Sequence, residues 1–541
     1  MVKKIDEEFE ELEEKIFDTF MERNPVMATH IGIHDYDDIL PDVTKQAHEE
    51  DIKMMENWLE EIKNFDDKKL SDENQIAKKL GIHLFDLMLF RMKELEHWKK
   101  QPSVPDTIGS SILLLIKREF SPLNERLTSI KGRIEDIPRI VEEEKTRIED
   151  PVKLWVDMAI ESTERLPMML KLVLMIAKEN GLEDKKLSEL SSAVDEADQA
   201  LEDYKDWLNE LRMDAKNEFA IGEEKFDELL EKREIGYSTD EIYELGKELL
   251  ENAKEDMKKY AEQINPDKTT QEVVQEVMSE TPDDFEEAIS WYEKGLEDAK
   301  EFVIKNDLAT IPKSESIEVI ETPEYMRHII PFAAYMPPAK FDEVHKGIYM
   351  VTPPNKEKEL DNYSYWDVRN TTVHEGYPGH HLQTTAACEN DDVFRLFSHA
   401  VETIEGWAHY CEEMMKDHGF DDTPEARLVQ TRDVVWRAAR IIVDIELSTN
   451  KISFDEAVEY LVDTVGMKKE DATAEVKRYT QNPAYQLSYL LGKVMIKELK
   501  NDVKEQMGDN FSEKFFHDTI LYAGGVPIKY LKKIFDKKIK E

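Results

Sequence analysis

The segment HEGYPGHHLQ sets His374, Glu375, His380 and His381 within eight residues. Imidazole nitrogens and carboxylate oxygens crowded this closely are the donors that zinc takes. The familiar helical form of such a site is H-E-x-x-H. Its histidines, four residues apart, lie about 40° apart around the helix, so both reach one ion. The Glu beside the first ligand can then accept a proton from an activated water. This chain departs from that spacing, because position 378 is Pro. On a regular helix His374 and His380 would point about 120° apart, and His374 and His381 about 20° apart but with α-carbons ~10 Å apart. A histidine reaches only about 6–7 Å from its α-carbon to zinc. The helix cannot stay regular, however. Pro378 lacks an N–H and collides with the His374 carbonyl, and Gly379 admits unusual dihedrals. A Pro-Gly break that loops out could carry His380 onto the face of His374. Spacing alone leaves both His380 and His381 open.

H-E-x-x-P-G-H followed by x-x-Gln at Gln383 resembles the signature of the domain of unknown function 885 family. That family is grouped with zincin-type metallopeptidases, in the neighbourhood of the gluzincins. Asn24-Pro-Val-Met-Ala-Thr-His-Ile-Gly32 with Leu40-Pro-Asp is similar to its N-terminal segment, and Glu405-Gly-Trp-Ala-His-Tyr410 to its E-G-W-A-x-Y. Tyr485 to Gly492 and His517 to Pro527 resemble its C-terminal blocks, so the likeness covers nearly the whole chain. The resemblance implies a large helical zincin-like metallopeptidase fold holding Zn2+. The position after the second histidine varies in the family, which favours His380 over His381. A gluzincin draws its third ligand from a downstream helix, the place of Glu405, with Glu402 one turn earlier as competitor. The implied ligands are therefore His374, His380 and Glu405. His409 departs from the apolar residue usual there, and is expected behind the ligands or facing substrate. A downstream Tyr or His donates to the oxyanion in related peptidases, which makes Tyr485 and Tyr489 candidates.

The expected chemistry is hydrolysis of peptide bonds, of short peptides, with Glu375 as general base and the tyrosines as oxyanion donors. The run Gly347 to Thr352 could offer a sheet edge to an extended peptide, with Gly347 and Tyr349 touching substrate. Arg437 and Arg440, in VVWRAARIIVD, could hold a substrate carboxylate, and Arg437 is taken as the substrate-binding one. Two other functions stay open: a non-enzymatic metal-binding helical scaffold, and a zinc hydrolase acting on non-peptide amides. Exo- or endopeptidase mode and oligomeric state are not legible.

The elements that must position these residues are mostly helices. Glu7 to Arg23, Glu50 to Phe65, Glu73 to Lys99 and Leu187 to Leu211 repeat apolar residues at three- and four-residue spacing among Glu and Lys. Ser238-Thr-Asp-Glu and Thr281-Pro-Asp-Asp read as helix openings. Prolines gather over 305–354, where Ser316 to Glu321, Ile329 to Tyr335 and Gly347 to Thr352 predict short strands. The expected architecture is mainly α with a small β-sheet next to the metal-site helices. A predominantly helical part, 1–304, precedes a metal-binding catalytic part, 305–541, with one continuous domain as the alternative.

The chain has 541 residues, 72 Lys plus Arg against 119 Asp plus Glu, and a formal net charge of -47. That charge repels nucleic acid and anionic membrane surfaces, so neither is an expected partner. The apolar run Leu166 to Ala177 contains Lys171 and is too short to span a bilayer. Cys388 and Cys411 do not make a disulfide framework and read as free thiols. The charged N-terminal segment lacks the apolar core of a secretory signal, so a cytoplasmic location is expected.

Overall fold

The computed structural model describes residues 2–322, 327, 333–342, 344–354, 360 and 363–540. It is mainly α with one small three-stranded sheet, as the periodicities predict. Packing divides the chain into two compact units: Met1–Phe219 with Ala339–Glu343, and Ala220–Pro338 with Val344–Glu541. The division thus falls well before the composition change near 305. Helices between 220 and 304 lie against the later helices of the second unit, and packing partners, not proline content, decide where a core ends.

The first unit contains α1 (Val2–Arg23), α2 (Pro25–Ile31), α3 (Lys45–Lys63), α4 (Asp72–Phe90), α5 (His97–Lys100), α6 (Val104–Lys117), α7 (Leu123–Lys145), α8 (Lys153–Glu179) and α9 (Asp184–Asp214). The helix expected over Glu73–Lys99 is interrupted, by a π turn at Arg91–Leu95 and by Glu96 in the left-handed region at φ 51°. Leu127, Ile130, Ile134, Ile137 and Val141 form one buried stripe of α7, and Leu190, Val194, Ala197, Leu201, Tyr204 and Leu208 another of α9. Three- and four-residue steps keep each stripe on one helix face, which is why the core of this unit is legible as a period. The Asn24–Gly32 block is structural here. Buried Thr29 donates to Asp37 at 2.6 Å and accepts from buried Arg133 at 2.5 Å.

The second unit opens with α10 (Glu223–Lys232), α11 (Thr239–Ile264), α12 (Thr270–Met278) and α13 (Phe285–Lys305). Ser238 and Glu241 form a reciprocal capping box at α11, and Asp284, rather than Thr281, caps α13. The sheet follows, as β1 (Glu315–Glu321), β2 (Ala333–Met336) and β3 (His345–Val351). Of the strand expected over Ile329–Tyr335, Ile329 to Phe332 lie outside the described residues. β3 is central, parallel to β1 and antiparallel to β2, with Tyr349 opposite Val319 and Tyr335. The remaining helices are α14 (Tyr365–Glu375), α15 (His380–Ala387), α16 (Val393–Phe397), α17 (Val401–Asp417), α18 (Pro424–Ser448), α19 (Phe454–Val465), α20 (Lys469–Gln481), α21 (Ser488–Met507), α22 (Glu513–Leu521) and α23 (Ile528–Lys540). α14 packs on α13, α17 and α18, and α17 lies along α21. Among the described residues no helix is long and apolar enough to cross a membrane.

Candidate metal centre

α14 lacks an apolar stripe because it buries polar side chains, Arg369, Asn370, Thr372 and His374 among them. A helix that buries polar groups must pair them or use them. Arg369 is paired, with Asp298 at 2.8 Å and Asp421 at 2.7 Å. His374 and Glu375 are the last two residues of α14, and His380 is the first of α15. The four residues between them leave the helix, with a cis Tyr377–Pro378 peptide. The Gly379 N–H donates to the Val373 carbonyl at 3.1 Å, and a Cβ on Gly379 would stand 1.8 Å from the His374 oxygen. No side chain fits that approach, which explains the glycine. The turn is held from two sides. Trp407 Nε1 donates to the Pro378 carbonyl at 2.8 Å, and the Tyr377 hydroxyl donates to Glu315 at 2.5 Å.

This turn brings three donors together. His374 Nε2 lies 3.8 Å and His380 Nε2 3.4 Å from Glu405 Oε2, and all three donor atoms lie within 4.8 Å of one another. Two ligands bonded at about 2.05 Å on a tetrahedron are separated by about 3.3 Å. The donors therefore stand at the spacing of ligands around one small ion, and two imidazoles with one carboxylate are a set that zinc accepts. Burial opposes charge on His380, but the hydrogen bond and charge of Glu405 outweigh it and lift the imidazole to about 9. Glu405 is driven the other way. Burial raises it, yet His380 and then His374 hold it far below the usual carboxylate range. An ion entering the trio would take the place of that proton.

A second His/Glu group shares His374 but has different spacing. Glu412 Oε1 accepts from His374 Nδ1 at 2.7 Å, a hydrogen-bond distance with no room for an ion. Glu412 Oε1 also lies 3.2 Å from His409 Nδ1, and Oε2 accepts from Asn370 at 3.1 Å. Lys416 donates to Asn370 at 2.9 Å. A carboxylate on the far nitrogen fixes the tautomer and direction of a ligating histidine and raises its basicity. His409 is fully buried, and burial pushes it down to about 4. Its neutral ring accepts from Arg437 Nε at 3.0 Å through Nε2.

His381 points elsewhere. Its Nε2 donates to Glu315 at 2.6 Å and its Nδ1 accepts from the Tyr335 hydroxyl at 2.9 Å. Glu402 is likewise occupied, as the buried partner of Arg233 at 2.7 Å. Glu375 is half-buried, and its charge acts on His380, Tyr335 and Tyr349. Its carboxylate has no hydrogen-bond or ion-pair partner among the described residues.

The tyrosines arrive on the segment that leads into α21. α17 and α21 touch backbone to backbone: a Cβ on Gly406 would stand 2.4 Å from Gly492 C, and one on Gly492 2.0 Å from the Glu402 oxygen. The crossing sets the Tyr485 hydroxyl 3.4 Å from Glu405 Oε1. The Tyr489 ring lies 5.8 Å from that of His409, under the Arg440 guanidinium at 4.7 Å. Buried Asp444 accepts the N–H groups of Ala484 and Leu487 at 2.9 and 3.0 Å, and Arg233 donates to Ser488 at 2.7 Å and to the Ala484 carbonyl.

Two sequence expectations are corrected. β3 is the central strand, paired along its length with β1 and over Ile348–Val351 with β2, so an extended peptide cannot add along Ile348–Val351. Gly347 instead admits His381, because a Cβ there would stand 2.6 Å from Nδ1. Tyr349 is a core residue, 2% exposed and packed on Tyr292 and Val351. Three residues that spacing did not single out, Glu412, Asn370 and Glu315, prove central. Glu405, His409 and Glu412 recur at steps of four and three, which places them on one face of α17, and that periodicity was the available signal.

Two solved structures share this architecture. A candidate lipoprotein of unknown function from Shewanella oneidensis superposes with a TM-score of 0.80 at 22% identity, covering 97% of this chain and 99% of that one. A candidate lipoprotein from Colwellia psychrerythraea does so with a TM-score of 0.86 at 17% identity, covering 99% of each. At such identity the likeness extends to the fold alone. No curated protein matches the chain. The family described as a bacterial protein of unknown function, DUF885, matches residues 25–534, from the Thr29 anchor through the His–His–Glu trio to the tyrosine segment, and the chain belongs to it.

Proposed function

We propose that the protein is a zinc-dependent peptidase of zincin-like type that hydrolyses short peptides. The observation that carries this reading is the ligand-like spacing of His374, His380 and Glu405, beside a Glu375 carboxylate that makes no hydrogen bond or ion pair among the described residues. His374, His380 and Glu405 would hold the ion, with Glu412 orienting His374. Zinc bound there supplies Lewis-acid activation of water and of the scissile carbonyl.

Glu375 accepts the proton of the attacking water and returns it to the leaving amine. Tyr485, against Glu405 Oε1, holds the ligand carboxylate in register and presents a phenol where oxyanion charge develops. Burial raises the phenols of Tyr485 and Tyr489, so both remain proton donors at neutral pH. The net charge of -47 supports a partner that is neither nucleic acid nor anionic membrane. Cys388 and Cys411 form no disulfide among the described residues, which supports a cytoplasmic location. The lipoprotein descriptions of the two structural neighbours favour an envelope location for those proteins, and fractionation of cells producing this one decides for it.

The test is zinc analysis with digestion of a peptide library by wild type and Glu375→Gln. The variant should keep stoichiometric zinc while turnover falls at least about a hundredfold, the lower range for loss of a general base. Zinc-loaded wild type that cleaves nothing would leave a metal-binding scaffold instead. Undiminished hydrolysis by Glu375→Gln would remove Glu375 from the mechanism.

A further inference from the structure

The arginines of α18 are not equivalently satisfied. Arg432 is paired with Asp367 at 2.6 Å and Asp433 at 3.1 Å. Arg440 donates to Tyr479 at 2.9 Å and Glu475 at 2.8 Å. Arg437 differs. Its Nε is taken by His409, while its buried Nη1 makes no hydrogen bond among the described residues. The nearest anion, Asp433 Oδ1, is 3.9 Å from that nitrogen. Asp433 is instead bonded to Arg432 and to Asn370 at 3.2 Å.

Trp436 Nε1 and Gln430 Nε2 are also buried donors without an acceptor. Gln430 and Arg437 are seven residues apart, two turns along one face of the helix. Arg437 Nη1 is an N–H donor, so the group that would satisfy it is an acceptor. Buried donors left unmatched are costly, and such groups gather where a ligand is received. For a guanidinium with Nε already committed and its face 4.2 Å over the Trp436 ring, a carboxylate is the matching acceptor. The position is close to the metal trio. The His409 ring that holds Arg437 lies 4.9 Å from the His374 ring, so the guanidinium is within the span of a di- or tripeptide, at about 3.4 Å per extended residue.

We propose that Arg437, positioned by His409 and Trp436, receives the free C-terminal carboxylate of a short peptide, making the protein a carboxypeptidase-type exopeptidase. This rests on the peptidase reading above. It gives His409 a purpose: through Nε2 it fixes the arginine, and through Nδ1 it leans on the Glu412 that orients His374. A ligand's carboxylate and a metal ligand are thereby held by one buried network.

Two measurements test it. The first uses zinc-loaded protein and two synthetic peptide libraries, identical except that one ends in a free acid and the other in a carboxamide, with cleavage read by mass spectrometry. Single residues or dipeptides should leave the C-terminus of the acid library, with the amide library at least tenfold slower. Arg437→Gln should bring that ratio near one through a raised KM on the acid library, and Arg437→Lys, which keeps charge without the fork, should restore little of it. Equal cleavage of both libraries by wild type overturns the proposal. The second is independent of turnover: a thermal shift with acetyl-dialanine as acid and as amide, on wild type and Arg437→Gln. Only the acid should stabilise, and only wild type. Stabilisation by both forms, or by neither, overturns the carboxylate site. If neither library is cut, the peptidase reading fails, and the thermal shift alone then decides whether Arg437 binds carboxylate.

Discussion

Three of the four glutamates on α17 have buried partners of different kinds, so the structure gives each a different task, and exchanging each for glutamine separates them. Glu405 Oε2 faces two imidazoles at 3.4 and 3.8 Å, Glu412 Oε1 accepts from His374 Nδ1 at 2.7 Å, and Glu402 neutralises Arg233 at 2.7 Å. Glu412→Gln keeps an acceptor but loses its charge, and its new N–H2 must face the donors of Asn370 and His409. Loss of such an orienting carboxylate lowers metal affinity about 10–100-fold, or about 1.4–2.8 kcal/mol at 1.36 kcal/mol per tenfold. Glu405→Gln removes a ligand outright and should cost more zinc affinity than Glu412→Gln. Glu402→Gln strands a buried guanidinium, which costs about 3–5 kcal/mol of stability, but leaves the trio in place. The assay is competition for zinc against a colorimetric chelator at neutral pH, paired with urea unfolding of each metal-free protein. The expected order of zinc loss is 405, then 412, then 402, with stability loss prominent at 402. Wild-type zinc affinity in Glu412→Gln would falsify the orienting role. A zinc loss in Glu402→Gln matching that of Glu405→Gln would refute the assignment of the ligand.

Gly406→Ala drives a methyl to 2.4 Å from the Gly492 backbone, so α17 and α21 must separate. Overpacking of this kind costs about 1–3 kcal/mol, and it moves Tyr485 relative to Glu405. A lowered unfolding midpoint together with lowered turnover is expected, and calorimetry with steady-state kinetics reads both. Glu315 gives a pH dependence. Burial alone raises its carboxyl, but hydrogen bonds from His381, Lys300 and Tyr377 overcome that and bring it to about 2, against an ordinary 4.5. A depressed folded-state value means that the stabilisation is present above pH 4.5 and is lost as pH falls from 4.5 toward 2. Glu315→Gln should therefore be less stable at pH 7 by about 1–3 kcal/mol. It should also show a flatter decline between pH 5 and 2 in urea midpoints than wild type, and parallel curves would count against the network.

The chain by itself determined the helical class, the stripe of α9, the capping box of α11, the approximate places of β1 and β3, and the donors from which a centre could be assembled. Those properties are local: a period of three and four, a cap followed by an acid, or a run of β-branched residues acts over a few residues and survives in any tertiary setting. What spacing could not decide was direction. His380 and His381 are neighbours in sequence, but Gly379 folds the chain back onto the His374 carbonyl, Trp407 holds Pro378, and Glu315 draws His381 under the sheet. Glu402 and Glu405 were separated only by Arg233, 169 residues away in sequence from Glu402. Tyr349 became core, and β3 lost its expected edge, because β1 and β2 arrived from either side. Each of these outcomes depends on a partner distant in the chain. A side chain's chemistry is written in its own residue, while the direction in which it is used is set by whatever the fold brings against it.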